Sequence, residues 1–164
     1  TMPGVFSWDA LDEGTAFLFE HLDFRDAETL LDVGCGYGII GAIAAQNVEQ
    51  VVMVDDNLLA VRCAKATLEH NGITNARVLP SNLYSQVEGQ FDLIVSNPPF
   101  HTGFEVNTSI AHKIISRAPK HLNRSGRLLV VANAFLKYED VFSENFTASG
   151  VNQKNSKYKI LEGS

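Results

Sequence analysis

Short apolar runs alternate with segments of helical periodicity along this chain, and no other feature restricts its fold as strongly. The strand-like runs are apolar throughout, which is typical of strands buried on both faces of a sheet. The predicted strands, the first including its closing turn, are 29–36, 50–56, 76–81, 91–97, 126–135 and 157–161. The predicted helices are 39–47, 58–72, 104–122 and 138–146. This alternation predicts an α/β fold with a mostly parallel sheet and helices on both faces.

The end of the chain departs from this regularity. We expect the last two strands to join the sheet as an antiparallel hairpin, and we expect the polar stretch 147–157 to form a loop. The sequence shows no internal repeat, no low-complexity tract and no linker, so residues 1–164 are expected to form one domain.

Composition excludes several function classes. No apolar run approaches the roughly 20 residues of a membrane span, and no signal segment opens the chain. The two cysteines, Cys35 and Cys63, are too few for a disulfide framework, and no Cys/His spacing predicts a metal site. A cytoplasmic protein without metal or membrane partner is therefore expected. The net charge is −6, but residues 111–164 carry an excess of Lys and Arg, an asymmetry that can mark a side facing nucleic acid.

The motif DVGCGYG (32–38) lies between the first predicted strand and helix. Gly34, Gly36 and Gly38 permit positive φ angles and let a ligand approach the backbone closely. The spacing fits the dinucleotide fingerprint poorly, and Asp32 suits a cofactor that bears an ammonium group better than a pyrophosphate. The loop resembles the cofactor loop of S-adenosylmethionine-dependent methyltransferases; a plain strand–helix turn is the alternative.

Two further strand ends carry candidate cofactor ligands. Asp55 ends the second strand, about 20 residues after the glycines, where an acid can accept both ribose hydroxyls. Asp56 competes for this role, whereas a helix N-cap suits Asp56 or Asn57 better. The stretch 81–83 follows the third strand, where backbone N–H groups and the Asn82 amide could contact an adenine. An ordinary turn without a ligand would have the same sequence pattern.

The motif NPPF (97–100) ends the fourth strand, where ligands of open parallel sheets bind. The Asn97 side-chain oxygen and the Pro98 carbonyl are two acceptors, and Pro98 and Pro99 remove competing donors and stiffen the loop. Phe100 offers a flat face for a planar ring. These groups suit a planar exocyclic amine, which becomes nucleophilic when both of its N–H bonds are accepted, so positioning and electrostatics would carry the rate.

Taken with these two motifs, four stretches of the chain resemble a known family. PGVFSWDALDEGT, SNLYS, NPPFHTG and VANAFLKY together resemble the bacterial small-subunit ribosomal RNA guanine-N2 methyltransferases. The resemblance covers most of the chain and implies a Rossmann-like class I methyltransferase fold with a seven-stranded sheet. It implies ribosomal RNA or the small ribosomal subunit as partner, and it identifies 1–164 as the catalytic domain of a protein with a further N-terminal domain.

The resemblance also implies roles for single residues. Asp32, Gly34 and Gly36 would hold the methionine part of S-adenosylmethionine, with Gly38 completing the loop. Asp55 would hold the ribose, and Asn82 and Leu83 the adenine. The target guanine would be held by Asn97, Pro98 and Phe100, with Asn97 also touching the cofactor, and Phe6 and Ser7 would lie nearby. Leu161 and Glu162 depart from the basic C-terminal strand of the family, which affects the expected RNA contacts.

Other functions remain open at this stage. The motifs also permit guanine-N2 methylation of large-subunit rRNA, N6-adenine methylation, protein-glutamine methylation, or a catalytically silent domain that binds cofactor or RNA. A further hypothesis concerns a basic set on one helix face, either solvated or part of an RNA footprint: Lys113, Arg117, Lys120 and Arg124.

Overall fold

The structure, a computed structural model, describes residues 11–99 and 104–164, and in 104–107 it describes the backbone alone. Numbered in chain order, the strands are β1 (Thr29–Val33), β2 (Gln50–Asp55), β3 (Ala76–Pro80), β4 (Phe91–Ser96), β5 (Leu122–Asn133), β6 (Ser149–Lys154) and β7 (Tyr158–Gly163). The helices are α1 (Glu13–His21), α2 (Ile39–Ala44), α3 (Leu58–His70), α4 (Phe104–Arg117) and α5 (Glu139–Asn145).

The strands form one seven-stranded sheet in the order β3-β2-β1-β4-β5-β7-β6. Strands β1 to β5 pair in parallel, whereas β7 runs antiparallel to both β5 and β6. The last strand in sequence is thus inserted between its two predecessors. The mostly parallel sheet is confirmed. The predicted strands 126–135 and 157–161 correspond to β5 and β7, which pair antiparallel as expected, but the hairpin is formed by β7 with β6, which was not predicted as a strand.

The inner strands of the sheet are buried on both faces, and the two faces alternate along each strand as the pleat requires. Leu31 and Ile94 belong to the cluster that packs against α4 and α5, which contribute Ile114 and Phe142. Their neighbours Leu30 and Leu93 belong to the opposite cluster, whose helical members come from α1, α2 and α3: Phe17, Leu18, Ile40, Ala44, Val61, Ala64 and Leu68. This arrangement confirms the prediction of helices on both faces.

The structure corrects the prediction of a loop over 147–157. Strand β6 occupies 149–154 and pairs with β7. All six of its residues are exposed, so the strand has no apolar pattern to reveal it. It is held through the backbone ladder at the sheet edge, where polar residues are usual.

Element boundaries and one helix also differ from the predictions. α4 ends at Arg117 and a 3-10 turn covers 118–121, because Pro119 lacks the N–H that would continue the α-helix. β5 begins at Leu122, four residues earlier than predicted, and its pairing with β4 shifts register after Phe91. The short helix α1, capped by Asp12, was not among the predicted elements.

Because β1 to β4 are parallel, their carboxyl ends meet at one edge of the sheet. The glycine loop, Asp55, the 81–83 turn and Asn97 follow these four strands in turn. α1 lies at the same edge through its N-terminus, where its cap contacts Asn97.

Candidate active site

A cleft of about 350 Å³ opens at the carboxyl ends of the parallel strands. Among its lining residues are seven that the sequence predicted to bind cofactor or substrate: Gly34, Gly36, Asp55, Asn82, Leu83, Asn97 and Pro98. Asp32 and Gly38 do not line it, and Phe6, Ser7 and Phe100 lie outside the described residues. The motifs from four strand ends therefore converge on one site.

The glycine loop is pinned to β2 and leaves its surface open. The backbone N–H groups of Gly34 and Cys35 both donate to the carbonyl of Val54, at 2.9 and 3.0 Å. Gly34 and Gly36 have φ angles of +77° and +56°, and a Cβ at either position would meet no atom within 4 Å. The two glycines therefore supply backbone conformation and leave free space in front of the loop.

Gly38 has a packing role in addition to its conformation. Its φ angle is +85°, and a Cβ there would lie 2.9 Å from the Cβ of Ala64 on α3. This glycine is the N-cap of α2, and its small size lets the loop and α3 approach each other. Gly38 thus allows the glycine loop to pack closely against α3, on the side away from the cleft.

Asp32 lies beneath the loop and is fully buried. Its Oδ2 accepts a hydrogen bond of 3.2 Å from the backbone N–H of Gly41, whereas Oδ1 has no partner among the described residues. Burial raises the pKa of Asp32 to about 7, the Gly41 hydrogen bond opposes this shift, and the charge of Asp55 adds to it. Asp32 therefore ties α2 to β1, and its second oxygen lies beneath the loop without a hydrogen-bond partner among the described residues.

Asp55 joins two neighbouring segments. Its Oδ2 accepts from the backbone N–H of Gly36 and its Oδ1 from that of Asn57, both at 2.9 Å. Burial raises the pKa of Asp55, and these hydrogen bonds partly counteract the shift. Each oxygen keeps a lone pair for a further donor such as a ribose hydroxyl. Asp56 is exposed, and Asn57 is the N-cap of α3, as one of the two predicted alternatives.

Ser81 organises the turn that carries Asn82 and Leu83. Its hydroxyl donates to the carbonyl of Leu83 at 2.8 Å and accepts from the backbone N–H of Gln86 at 3.0 Å. Leu83 adopts a φ angle of +53°, rare for an apolar residue, and the turn holds it there. The backbone of this turn is therefore fixed at the edge of the cleft.

Asn97 is almost buried, and its side-chain amide is held on one side. The Nδ2 group donates to Oδ2 of Asp12 at 2.7 Å and to Oγ1 of Thr15 at 2.8 Å. The Oδ1 atom is buried and has no hydrogen-bond partner in the described part of the chain. A buried acceptor without a partner is costly, so this oxygen is suited to a ligand that brings a donor.

Sequence reasoning missed Asp12 and Thr15 as residues of the site. It had Ser81 only as part of the 81–83 stretch and Lys113 only as part of a basic helix face, and both line the cleft. Asp12 stands three positions before Thr15, a pattern typical of a helix N-cap, and this spacing was the available signal. Lys113 is exposed on α4 and lines the cleft. The hypothesis of one basic helix face is wrong beyond Arg117, because Lys120 lies in the 3-10 turn and Arg124 in β5.

Cys35 lies within the glycine loop. Cys35 is buried, and burial raises the pKa of its thiol above the usual range, which agrees with the predicted packing role.

Within 11–99 and 104–164, no three His, Cys, Asp or Glu side chains are grouped so as to hold a metal ion. In the same residues, no helix is long and apolar enough to cross a membrane.

Comparison with known proteins identifies the family. The family model described as "Methyltransferase small domain" matches residues 1–162. The chain belongs to this family. Curated relatives of this methyltransferase domain include the ribosomal RNA small subunit methyltransferase C of Serratia proteamaculans, which is 40% identical over 164 residues. The protein of the same name from Escherichia coli is 41% identical over 162 residues.

These relatives are longer than the chain. The match covers 99% of the chain but 47% of the Serratia protein, so the chain spans about half the length of the relatives it matches. The match to the Escherichia coli protein gives the same share.

Solved structures agree with the fold. A 16S rRNA N2 methyltransferase of T. thermophilus, in complex with AdoMet and guanosine, superposes with a TM-score of 0.89 at 32% identity. That comparison covers 99% of this chain and 46% of the other. A ribosomal protein L11 methylase from Lactobacillus delbrueckii superposes with a TM-score of 0.75 at 23% identity, which shows the shared fold alone. The predicted class I methyltransferase fold is confirmed.

Proposed function

We propose that this domain transfers a methyl group from S-adenosylmethionine to the exocyclic N2 of a guanine in small-subunit ribosomal RNA. The observation that carries the proposal is the side chain of Asn97, whose Oδ1 is buried without a partner while its Nδ2 is bound to Asp12 and Thr15. This acceptor is fixed at the end of a strand, belongs to a residue that lines the cleft and lacks a hydrogen-bond partner among the described residues, so it suits an N–H donor. The exocyclic amine of guanine is such a donor.

The residues present fit the cofactor. The open surface of Gly34 and Gly36 leaves room for the methionine part, and the unpaired Oδ1 of the buried Asp32 offers a hydrogen-bond acceptor beneath the loop. The free lone pairs of Asp55 suit the ribose hydroxyls, and the turn at Asn82 and Leu83 suits the adenine. When bound, S-adenosylmethionine supplies an electrophilic methyl group on a positively charged sulfur.

The acceptor amine is activated by position in this proposal. Asn97 Oδ1 accepts one N–H of the amine and the Pro98 carbonyl accepts the other, which draws the nitrogen lone pair out of conjugation with the ring. The nitrogen would then be oriented to accept the methyl group, the cofactor would supply the sulfur leaving group, and the amine would lose one proton to water. Asn97 and Pro98 carry no charge and take up no proton, so their contribution is orientation and electrostatic stabilisation. Phe100 is proposed to stack on the guanine.

Several observations support ribosomal RNA as the substrate. The relatives that cover the whole chain are named as small-subunit ribosomal RNA methyltransferases, and the T. thermophilus structure contains guanosine. Lys113 places an exposed cation at the cleft, where a phosphate would be neutralised. We further propose that residues 1–164 act in the cytoplasm as a catalytic domain beside a further N-terminal domain, since the relatives are about twice as long.

Methyl transfer to defined particles tests the proposal. Labelled S-adenosylmethionine is offered with small subunits, large subunits and the two naked rRNAs, and the labelled nucleoside is identified. Label recovered as N2-methylguanosine from small-subunit RNA is the expected result. Label in large-subunit RNA, N6-methyladenosine or protein glutamine would assign another acceptor.

Cofactor binding by calorimetry is measured in parallel. Binding without any transfer, in a protein extended to the length of its relatives, would leave a silent binding domain and overturn the proposed activity.

A further inference from the structure

The orientation of the Asn97 amide is set from outside the NPPF motif. Asp12 precedes α1 and lies 85 positions earlier in the chain, yet its Oδ2 is 2.7 Å from Asn97 Nδ2. The same oxygen accepts the backbone N–H of Thr15 at 2.8 Å, so the helix cap and the contact to Asn97 share one atom. Asp12 is thereby fixed by its own helix before it meets Asn97.

A carboxylate and a hydroxyl differ in what they can impose on an amide. An ionised carboxylate only accepts hydrogen bonds, so it fixes Nδ2 on its own side and directs Oδ1 to the opposite side. The Thr15 hydroxyl can accept from Nδ2, as it does here at 2.8 Å, but it could equally donate to Oδ1 after an amide flip. Thr15 therefore tolerates either orientation, and Asp12 decides between them.

We propose that Asp12 is a positioning residue that holds Asn97 with its acceptor oxygen towards the substrate amine. This inference rests on the proposed function for its catalytic meaning. A flipped Asn97 would present N–H donors to an amine that also donates, which would repel the substrate and leave its lone pair in the ring. Asp12 acts through Asn97 and not on the reacting atoms.

The surroundings of Asp12 leave little space for an alternative position. A Cβ at Gly14 would lie 3.0 Å from Asp12 Oδ2 and 3.3 Å from the ring of Tyr158 on β7. Glycine at position 14 thus makes room for the carboxylate between α1 and β7. Thr15 and Gly14 thus both fix the position of Asp12 Oδ2, Thr15 by donating a hydrogen bond to it and Gly14 by leaving space for it.

Two substitutions separate positioning from stability. Asp12→Ser keeps a side-chain cap for α1, since Ser and Asp cap equally well, but its shorter side chain does not reach Asn97. Asp12→Asn can place its amide oxygen where Oδ2 lies and accept from both Thr15 and Asn97. We expect Asp12→Ser to lower kcat about 10–100-fold, by analogy with the loss of groups that orient metal-binding side chains. Asp12→Asn should recover most of that loss.

The controls exclude structural and cofactor effects. Asp140→Ser, an exposed Asp→Ser change in the first turn of α5, should behave as the wild type. Thermal unfolding and affinity for S-adenosylhomocysteine should be similar in all variants. The proposal is overturned if Asp12→Ser has the same kcat as the wild type, or if Asp12→Asn and Asp12→Ser lose kcat equally. Weaker cofactor binding in both Asp12 variants would also overturn it.

A measurement without turnover distinguishes failure of this inference from failure of the proposed function. The side-chain amide protons of Asn97, assigned by their absence in Asn97→Ala, should show nuclear Overhauser contacts to Thr15 in the wild type and in Asp12→Asn. These contacts should weaken in Asp12→Ser. If the wild type neither methylates RNA nor binds guanosine, the proposed function fails. If the contacts between Asn97 and Thr15 are unchanged in Asp12→Ser, the proposal that Asp12 orients the Asn97 amide fails, whatever the outcome for methylation.

Discussion

The carboxylate of Asp55 accepts a 2.9 Å hydrogen bond from the backbone N–H of Gly36, which joins the acid after β2 to the glycine loop after β1. Its second oxygen binds the first turn of α3 through Asn57. A ligand bound to the Asp55 carboxylate therefore lies where the end of β2, the glycine loop and the start of α3 meet. The proposed ribose site is part of the scaffold of the cleft.

Removal of this carboxylate should weaken cofactor binding. Asp55→Ala removes two acceptors for ribose hydroxyls, and a hydrogen bond to a charged group contributes about 1.5–3 kcal/mol. We expect the Kd for S-adenosylmethionine, measured by calorimetry, to rise at least about tenfold. Asp56→Ala, which removes the exposed neighbouring carboxylate, is the comparison: a larger loss there would transfer the ribose role to Asp56.

Removal of the Asn97 amide should affect chemistry and spare the cofactor. Asn97→Ala deletes the buried acceptor Oδ1, and loss of one preorganised group that acts on the transition state lowers kcat about 100–1000-fold. The affinity for S-adenosylmethionine should change little. The matched control is Asn47→Ala, at an exposed position after α2. Proportional losses of turnover and cofactor affinity would show that Asn97 serves the cofactor alone.

The contact behind the glycine loop predicts a steric effect at position 38. Gly38→Ala meets both an unfavourable φ angle and the Cβ of Ala64 at 2.9 Å, whereas Gly89→Ala has a similar φ of +87° in open space. The left-handed conformation alone costs about 1–2 kcal/mol for an L-residue. Denaturant unfolding should therefore show a clearly larger loss for Gly38→Ala than for Gly89→Ala.

A second substitution tests the origin of that difference. Ala64→Gly removes the Cβ that the new methyl group would meet, although Ala64 Cα remains 3.1 Å away. The double variant Gly38→Ala/Ala64→Gly should regain part of the lost stability, beyond the helix penalty of a glycine in α3. An additive result would contradict the steric explanation.

The buried Asp32 predicts an unusual dependence of stability on pH. Its pKa rises from 3.8 to about 7 on folding, chiefly through burial. Between these values the folded state holds a proton that the unfolded state has released, so this group lowers the free energy of unfolding as the pH rises through that window. The stability of Asp32→Asn relative to the wild type should thus increase between about pH 4 and 7, with a slope up to about 1.4 kcal/mol per pH unit.

Asp92 supplies a control of opposite sign. Partial burial raises the pKa of Asp92, but hydrogen bonds from Asn123 and Thr29 outweigh it and the pKa is lowered on folding. Asp92→Asn should therefore be destabilising above about pH 4, and the difference from the wild type should shrink as the pH falls through the lowered pKa. Equal pH profiles for Asp32→Asn and the wild type would show that Asp32 is ionised in the folded protein.

The inner strands and their loops were predictable because local pattern and burial agree there. Strands β1, β2 and β4 are apolar on both faces, so their ends and the motifs that follow them could be placed from composition and turn residues alone. The N-cap role of Asn57 and the end of α3 close to the predicted boundary at residue 72 follow from the same local chemistry.

The missed features depend on contacts between distant segments. β6 has six exposed residues and exists as a strand because β7 offers a ladder. The contact of Asp12 with Asn97 spans 85 positions, and the approach of Gly38 to Ala64 depends on how α3 packs. None of these has a periodic signal in its own segment.

The insertion of β7 between β5 and β6 has a consequence for synthesis on the ribosome. β6 is translated before β7, yet in the described sheet its ladder partner is β7. β6 is therefore unpaired until β7 has been synthesised. Its polar composition lowers the risk that the unpaired segment aggregates. The parallel strands β1 to β5 can pair before β7 is made, so the order of translation leaves the antiparallel edge of the sheet to form last.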